Sequence, residues 1–303
     1  NPSAPFSPSS NVLDPNCLPT DSNCYISLPL TSSSTLGTTA VGINALSSNT
    51  TGSYNTATGK DSLFSNTTGV YNTANGYQSL YFNTSDSNVG NGYRSLYSNT
   101  TGSSNTANGY QSLLSNTTGV ENTANGAGSL FSNTTGYYNT ANGTYSLYSN
   151  TTGYSNTANG YSSLFSNTTG EWNTANGVES LYSNTTGYQN TANGHQSLYY
   201  NTSGHDNVAN GGAALFKNTT GSWNTSNGSY ALFSNTTGGA NTSNGYDSLY
   251  NNINGNNNTA NGFRSSYSAT SSNGITALGA YALYSNITSS STAVGYESLY
   301  SNT

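Results

Sequence analysis

A 17-residue unit repeated along most of the chain constrains the fold more than any other feature. Residues 105–121 read NTANGYQSLLSNTTGVE, and NTANGAGSLFSNTTGYY and NTANGTYSLYSNTTGYS follow directly. A leucine marks the register every 17 residues from Leu46 to Leu249, apart from one 16-residue step between Leu80 and Leu96. Short identical units that cannot each bury a core are typical of structures whose units stack on one another.

Each unit has the residues of turns and short strands. Its two glycines and many Asn, Ser and Thr residues disfavour helix. The turn signals NG and TTG separate two segments, NTAN and SLYSN, that we expect to be strands. Stacked coils place like residues about 4.8 Å apart. We therefore predict an all-β chain: a parallel β-solenoid (β-roll) of about fifteen 17-residue coils over residues 36–303, after a non-repeating segment at residues 1–35.

The last residue of the NTAN segment differs between the middle and the ends of the array. Asn75 and Asn108 represent the central units, whereas Val41, Leu278 and Val294 occupy this position in terminal units. A position that accepts either asparagine or an aliphatic residue is predicted to be interior. The central asparagines are then expected to form a hydrogen-bonded ladder.

The composition excludes several classes of protein. Charged residues make up 5% of the chain, but 26 Tyr and 8 Phe at fixed repeat positions argue against disorder. The four basic residues do not cluster, which argues against a nucleic-acid partner. No apolar run is long enough to cross a bilayer, so we expect no membrane insertion.

An aromatic residue follows the register leucine in nearly every unit. Because neighbours on a strand point to opposite faces, an inward leucine puts the aromatics outside, in a continuous apolar stripe. Such a stripe usually marks an interface, so we predict that it is buried between chains of a homo-oligomer. The alternative is an open stacking platform for glycans. The stripe consists of Phe64, Tyr81, Tyr97, Phe131, Tyr148, Phe165, Tyr182, Tyr199, Phe216, Phe233, Tyr250, Tyr267, Tyr284 and Tyr300.

A second row consists of formal N-glycosylation acceptors, since each is an Asn two residues before Thr or Ser. The alternative is that Asn-Thr-Thr-Gly is turn chemistry copied by duplication, and we favour that alternative. The row is Asn49, Asn66, Asn83, Asn99, Asn116, Asn133, Asn150, Asn167, Asn184, Asn201, Asn218, Asn235 and Asn286.

No arrangement of residues indicates catalysis. His195 and His205 occupy variable repeat positions without a repeated carboxylate or nucleophile beside them. The Gly-Asp repeats of calcium-binding rolls are missing, and no segment has the glycine spacing and lysine of a phosphate-binding loop. We predict a protein that is not an enzyme, with no catalytic residues, metal or cofactor.

The non-repeating segment contains the only two cysteines, Cys17 and Cys24. Their close spacing favours a local disulfide, with two free thiols as the alternative. Because the sequence lacks methionine and begins at Asn1, we expect a processed, secreted chain located outside the cell or on its surface.

The terminal units TAVGYESLYSNT and TALGAYALYSN resemble the head repeats of YadA-type trimeric autotransporter adhesins. The resemblance covers about residues 36–303 and is closer in the terminal units than in the central ones. It implies a left-handed β-roll, association of three chains, and binding to matrix proteins or other surfaces.

Together these patterns predict an extracellular structural or adhesive protein of a fibre, surface or biofilm. Its partners are expected to be copies of itself, as a homotrimer or a head-to-tail filament, and surface glycans or matrix proteins. The head-to-tail prediction has the N-terminal segment (residues 1–35) or the first coil of one copy covering the C-terminal end of the next. The alternative is an ice-binding or glycan-binding solenoid.

Overall fold

The computed structural model describes residues 37–302. It contains one parallel sheet of sixteen three-residue strands, each paired with its neighbours in sequence. Thirteen of the fifteen strand-to-strand steps are 17 residues long, and the other two are 16. The predicted parallel β-solenoid is confirmed. The strands are β1 Thr39–Val41, β2 Thr56–Thr58, β3 Thr73–Asn75, β4 Val89–Asn91, β5 Thr106–Asn108, β6 Thr123–Asn125, β7 Thr140–Asn142, β8 Thr157–Asn159, β9 Thr174–Asn176, β10 Thr191–Asn193, β11 Val208–Asn210, β12 Thr225–Asn227, β13 Thr242–Asn244, β14 Thr259–Asn261, β15 Thr276–Leu278 and β16 Thr292–Val294.

The segment 1–35, with Cys17 and Cys24, lies outside the described residues. The predicted disulfide therefore stays a prediction.

Each strand points one small residue inward and its first and third residues outward, and in eleven of the sixteen strands both outward residues are polar. In β8, Ala158 is fully buried, whereas Thr157 and Asn159 flank it on the outer face. Strand alternation makes this outcome unavoidable, because the first and third residues share a face. The prediction that the Asn position is interior is therefore wrong.

The predicted asparagine ladder nevertheless forms on this outer face. Asn159 Nδ2 donates to Asn176 Oδ1 across 2.7 Å, and the pattern continues in both directions. Ten such bonds link eleven asparagines from Asn75 to Asn244.

The segment SLYSN is a series of turns, so its prediction as a strand is wrong. The backbone is left-handed at Gly76, Gln78 and Leu80, with φ of 135°, 54° and 52°. Tight turns follow, and Asn83 N–H donates to the Leu80 carbonyl at 3.2 Å. Coil-to-coil bonding continues through the turns, since Leu80 N–H donates to the Ser95 carbonyl at 2.9 Å.

The core combines leucine, alanine and two internal asparagine ladders. The register leucines from Leu46 to Leu249 are fully buried. One ladder is formed by the acceptor row described above and the other by the first residue of each NTAN segment, such as Asn156 and Asn173. Polar side chains are stable in this interior because each is hydrogen-bonded to the next coil.

Glycine is required at the corner after each strand. A Cβ at Gly160 would lie 2.6 Å from the carbonyl oxygen of Gly177 in the next coil, and its φ is +135°. The stacked corners approach too closely for any side chain, which fixes the glycine of NTANG.

Candidate functional surfaces

The predicted aromatic stripe forms a stack of rings along the rod. From Phe131 to Tyr300, eleven rings follow one another with centroid separations of 4.9–5.3 Å. Phe64, Tyr81 and Tyr97 form a shorter stack, separated from the long one by Leu114. We call all fourteen rings the stacked stripe.

The chain itself covers part of each ring. Most rings of the stacked stripe are half-buried, because each is sandwiched between its neighbours. Burial is also the main reason that the pKa values of Tyr199 and Tyr250 are raised. The stacked stripe therefore presents a row of ring edges to the outside. The edge of an aromatic ring carries the positive part of its quadrupole.

All four basic residues of the chain lie against this stripe or the rings beside it. Arg94 lies between Tyr93 and Tyr97, with its guanidinium carbon 5.3 and 5.1 Å from the two centroids. Cation–π contacts of the same kind stabilise the other three cations. They are Lys60 over Tyr77, Lys217 over Phe233, and Arg264 over Phe263 and Tyr267.

Four carboxylates share the face with these cations, so its formal charges cancel. Arg264 Nε donates to Asp247 Oδ2 one coil earlier at 3.0 Å. The remaining three, Asp61, Glu179 and Glu297, occupy the same coil position as Asp247, two residues after the corner glycine. Two copies of this face can meet without a net repulsion.

The row of formal glycosylation acceptors lies inside the rod. Asn167 is fully buried, and its Nδ2 donates to Gly170 O at 3.0 Å and to Asn150 Oδ1 at 2.8 Å. All thirteen acceptors are at most 3% exposed. A glycan on these nitrogens is incompatible with the fold, because it would displace the ladder from the core. Turn chemistry, the favoured alternative, agrees with the observed bonds.

A second group of rings occupies the two positions before the NTAN-type segment in six consecutive coils, from Tyr137 to Trp223. Both tryptophans of the chain are here, and Trp172 and Trp223 are 49% and 63% exposed. We call this group the tryptophan face. It consists of Tyr137, Tyr138, Tyr154, Trp172, Tyr188, His205 and Trp223.

The tryptophan face was missed by the sequence analysis because these positions vary most in residue type. A usable signal existed: Trp172 and Trp223 occupy the same repeat position, three coils apart, and Tyr138 shares it. No ring contact joins this group to the stacked stripe within residues 37–302.

The outer face of the sheet forms a third, uncharged surface. From β5 to β10 every strand presents one threonine and one asparagine outward, in register with the next. Rows of identical groups lie about 4.8 Å apart along the rod and about 7 Å apart across it.

No group of three or more potential metal-ligating residues is found in the described part of the chain. His205 Nδ1 lies 2.8 Å from Asp206 Oδ2, but no third ligating residue joins them. His195 is exposed at a different coil position. Among residues 37–302 there is also no helix long and apolar enough to span a membrane.

Comparison with protein-family models and with curated proteins finds no match to this chain.

Proposed function

We propose that this chain is an extracellular structural or adhesive protein, a β-solenoid that self-associates through the stacked stripe. The observation that carries the proposal is the uninterrupted row of eleven rings from Phe131 to Tyr300. Contiguous apolar surface of this length is rare on monomers and usually marks an interface.

Charge supports a second copy of the chain as the occupant of this surface. The face carries four cations and four carboxylates spread along its length. Lateral packing of two or three rods would bury the ring edges while placing opposite charges within reach of one another. The resemblance to YadA-type head repeats favours three chains; a head-to-tail filament is the other assembly, and the mass of the particle separates the two.

Sedimentation velocity tests the proposal on the intact chain. The wild type should sediment as an oligomer, and the triple variant Tyr148→Ser, Tyr182→Ser, Phe216→Ser should dissociate it. The matched control carries Tyr138→Ser, Trp172→Ser and Trp223→Ser on the tryptophan face and should remain assembled. Circular dichroism verifies that both variants keep the fold. A wild type that is monomeric in dilute solution, with accessible stripe tyrosines, would overturn the proposal.

A second candidate is water or ice binding by the outer face of the sheet. The observation that favours it is the flat, uncharged array of threonine and asparagine on β5 to β10, since the strand threonines lie on this face rather than in the corners. Measurement of thermal hysteresis distinguishes the two functions. A clear depression of the freezing point that is lost in the triple variant Thr140→Val, Thr157→Val, Thr174→Val would favour ice binding over the structural function.

A further inference from the structure

The tryptophan face contains one three-ring arrangement twice. In each set two rings stack nearly parallel, at 6° and 5°, and the third ring stands edge-on, at 81° and 88°. Every ring of the second set lies three 17-residue coils after its counterpart. The sets are Tyr137, Tyr154 and Trp172, then Tyr188, His205 and Trp223.

The edge-on tryptophans are the accessible rings of each set. Stacked rings cover one another's faces, but Trp172 and Trp223 are turned about a right angle from the stack, and they are 49% and 63% exposed. Three coils separate them by about 14 Å along one line. Two exposed apolar platforms therefore lie on one line parallel to the rod.

Polar groups lie beside each platform. A hydrogen bond with Glu171 raises the pKa of the Tyr154 phenol to about 12, so a phenol and a carboxylate lie together beside Trp172. In the second set the corresponding ring is His205, and it is paired with Asp206 at 2.8 Å. Each set thus combines one aromatic surface with one carboxylate and one ring polar group, the mixture typical of small-molecule recognition.

The charge of this face limits the partner. Its coil positions hold four carboxylates, Asp86, Glu121, Glu171 and Asp206, while all four cations of the chain lie on the stacked-stripe face. Nucleic acid and anionic glycans would be repelled. A second copy of the same face would be repelled as well.

We propose that the tryptophan face binds an extended polysaccharide of neutral or amino sugars, with one subsite at each three-ring set. Sugar rings present C–H groups on their faces and hydroxyls at their rims. The C–H faces complement the negative π surfaces of the tryptophans, and the hydroxyls complement the neighbouring carboxylates. The inference does not depend on the proposed self-association, because it uses other residues.

Binding is measured by retention of the intact chain on cellulose and chitin, and by its tryptophan fluorescence during titration with cellohexaose and chitohexaose. Both tryptophans lie on this face, so the fluorescence reports these subsites alone. The double variant Trp172→Ala, Trp223→Ala should weaken retention by at least about tenfold. Each single variant should keep partial binding, since two linked subsites act together. The double variant Trp172→Tyr, Trp223→Tyr should retain most of the binding.

Tyr110→Ala serves as the positional control, because Tyr110 is 56% exposed and belongs to neither set. It should bind as the wild type does. Absence of retention and of any fluorescence response would overturn the proposal, and so would retention that survives the double alanine variant. A fluorescence change that follows protein concentration instead of oligosaccharide would also overturn it, by identifying the face as a protein interface. Sedimentation of the double alanine variant separates this outcome from failure of the proposed assembly.

Discussion

The backbone N–H of Asn173 donates a 3.0 Å hydrogen bond to the side-chain Oδ1 of Asn156, one coil earlier. Both residues are fully buried. The side chain of one coil thus completes the backbone of the next at the point where the strand begins, and Asn156 Nδ2 also satisfies the Gly170 carbonyl at 2.8 Å. The Asn156 side chain therefore satisfies backbone groups that the sheet itself leaves without a partner.

Asn156→Ala should therefore destabilise the rod by about 1–3 kcal/mol, because it leaves the Asn173 N–H buried without a partner and removes one of the two amides, those of Asn156 and Asn167, that donate to the Gly170 carbonyl. Asn159→Ala is the matched control: it removes one link of the outer ladder, where water can replace the bond, and should cost less than about 1 kcal/mol. Urea unfolding followed by circular dichroism measures both. Equal losses would contradict the assigned roles of the two ladders.

Ser266→Leu should stabilise the protein. Ser266 occupies the register position between Leu249 and Leu283, is fully buried, and its hydroxyl has no partner. Leucine restores apolar contact and removes the unsatisfied group, a gain of about 1–3 kcal/mol. The melting temperature should rise in this variant. Ser265→Leu, beside it, should lower the melting temperature, since the Ser265 hydroxyl donates to Gly262 O at 3.0 Å. A decrease in both would show that the row cannot accept a leucine there.

Two adjacent glycines should respond in opposite ways to alanine. A Cβ at Gly211 would lie 2.6 Å from the Gly228 carbonyl carbon at a φ of +136°, whereas at Gly212 the nearest atom is 3.9 Å away. Gly211→Ala should cost more than about 2 kcal/mol. Gly212→Ala should be neutral or stabilise by up to about 1 kcal/mol, through the entropy of the unfolded chain. Thermal unfolding of the pair checks this; a tolerated Gly211→Ala would mean that the corners can separate.

Alkaline titration should identify the bond between Tyr154 and Glu171. Hydrogen bonding to Glu171 raises the Tyr154 pKa from its ordinary value of 10.0 to about 12. Because the folded chain holds the proton more tightly, this contribution to stability is complete below pH 10.0 and is lost as the pH rises towards about 12. The ultraviolet difference between wild type and Tyr154→Phe isolates this phenol. Glu171→Gln should move its titration back towards the ordinary value; an unchanged midpoint would exclude the bond.

The sequence by itself determined the architecture. The recurrence of Leu every 17 residues specified the stacking, and NTANG specified one strand and its glycine corner in each coil, because identical units can satisfy their backbone groups in register. The aromatic residue after each leucine predicted an outward row, which agrees with the observed stacked stripe.

Only the tertiary structure decided which side chains the coil encloses. The strand pattern could not reveal that Leu80 adopts a left-handed backbone, since that conformation costs about 1–2 kcal/mol and exists only because burial and the bond to Ser95 offset it. The acceptor asparagines such as Asn167 read as surface turns, yet stacking buries them by giving each amide a partner one coil away. The tryptophan face likewise arises when distant coils place Trp172 and Trp223 on one line, a proximity that follows from the stacking geometry and not from the residues beside them.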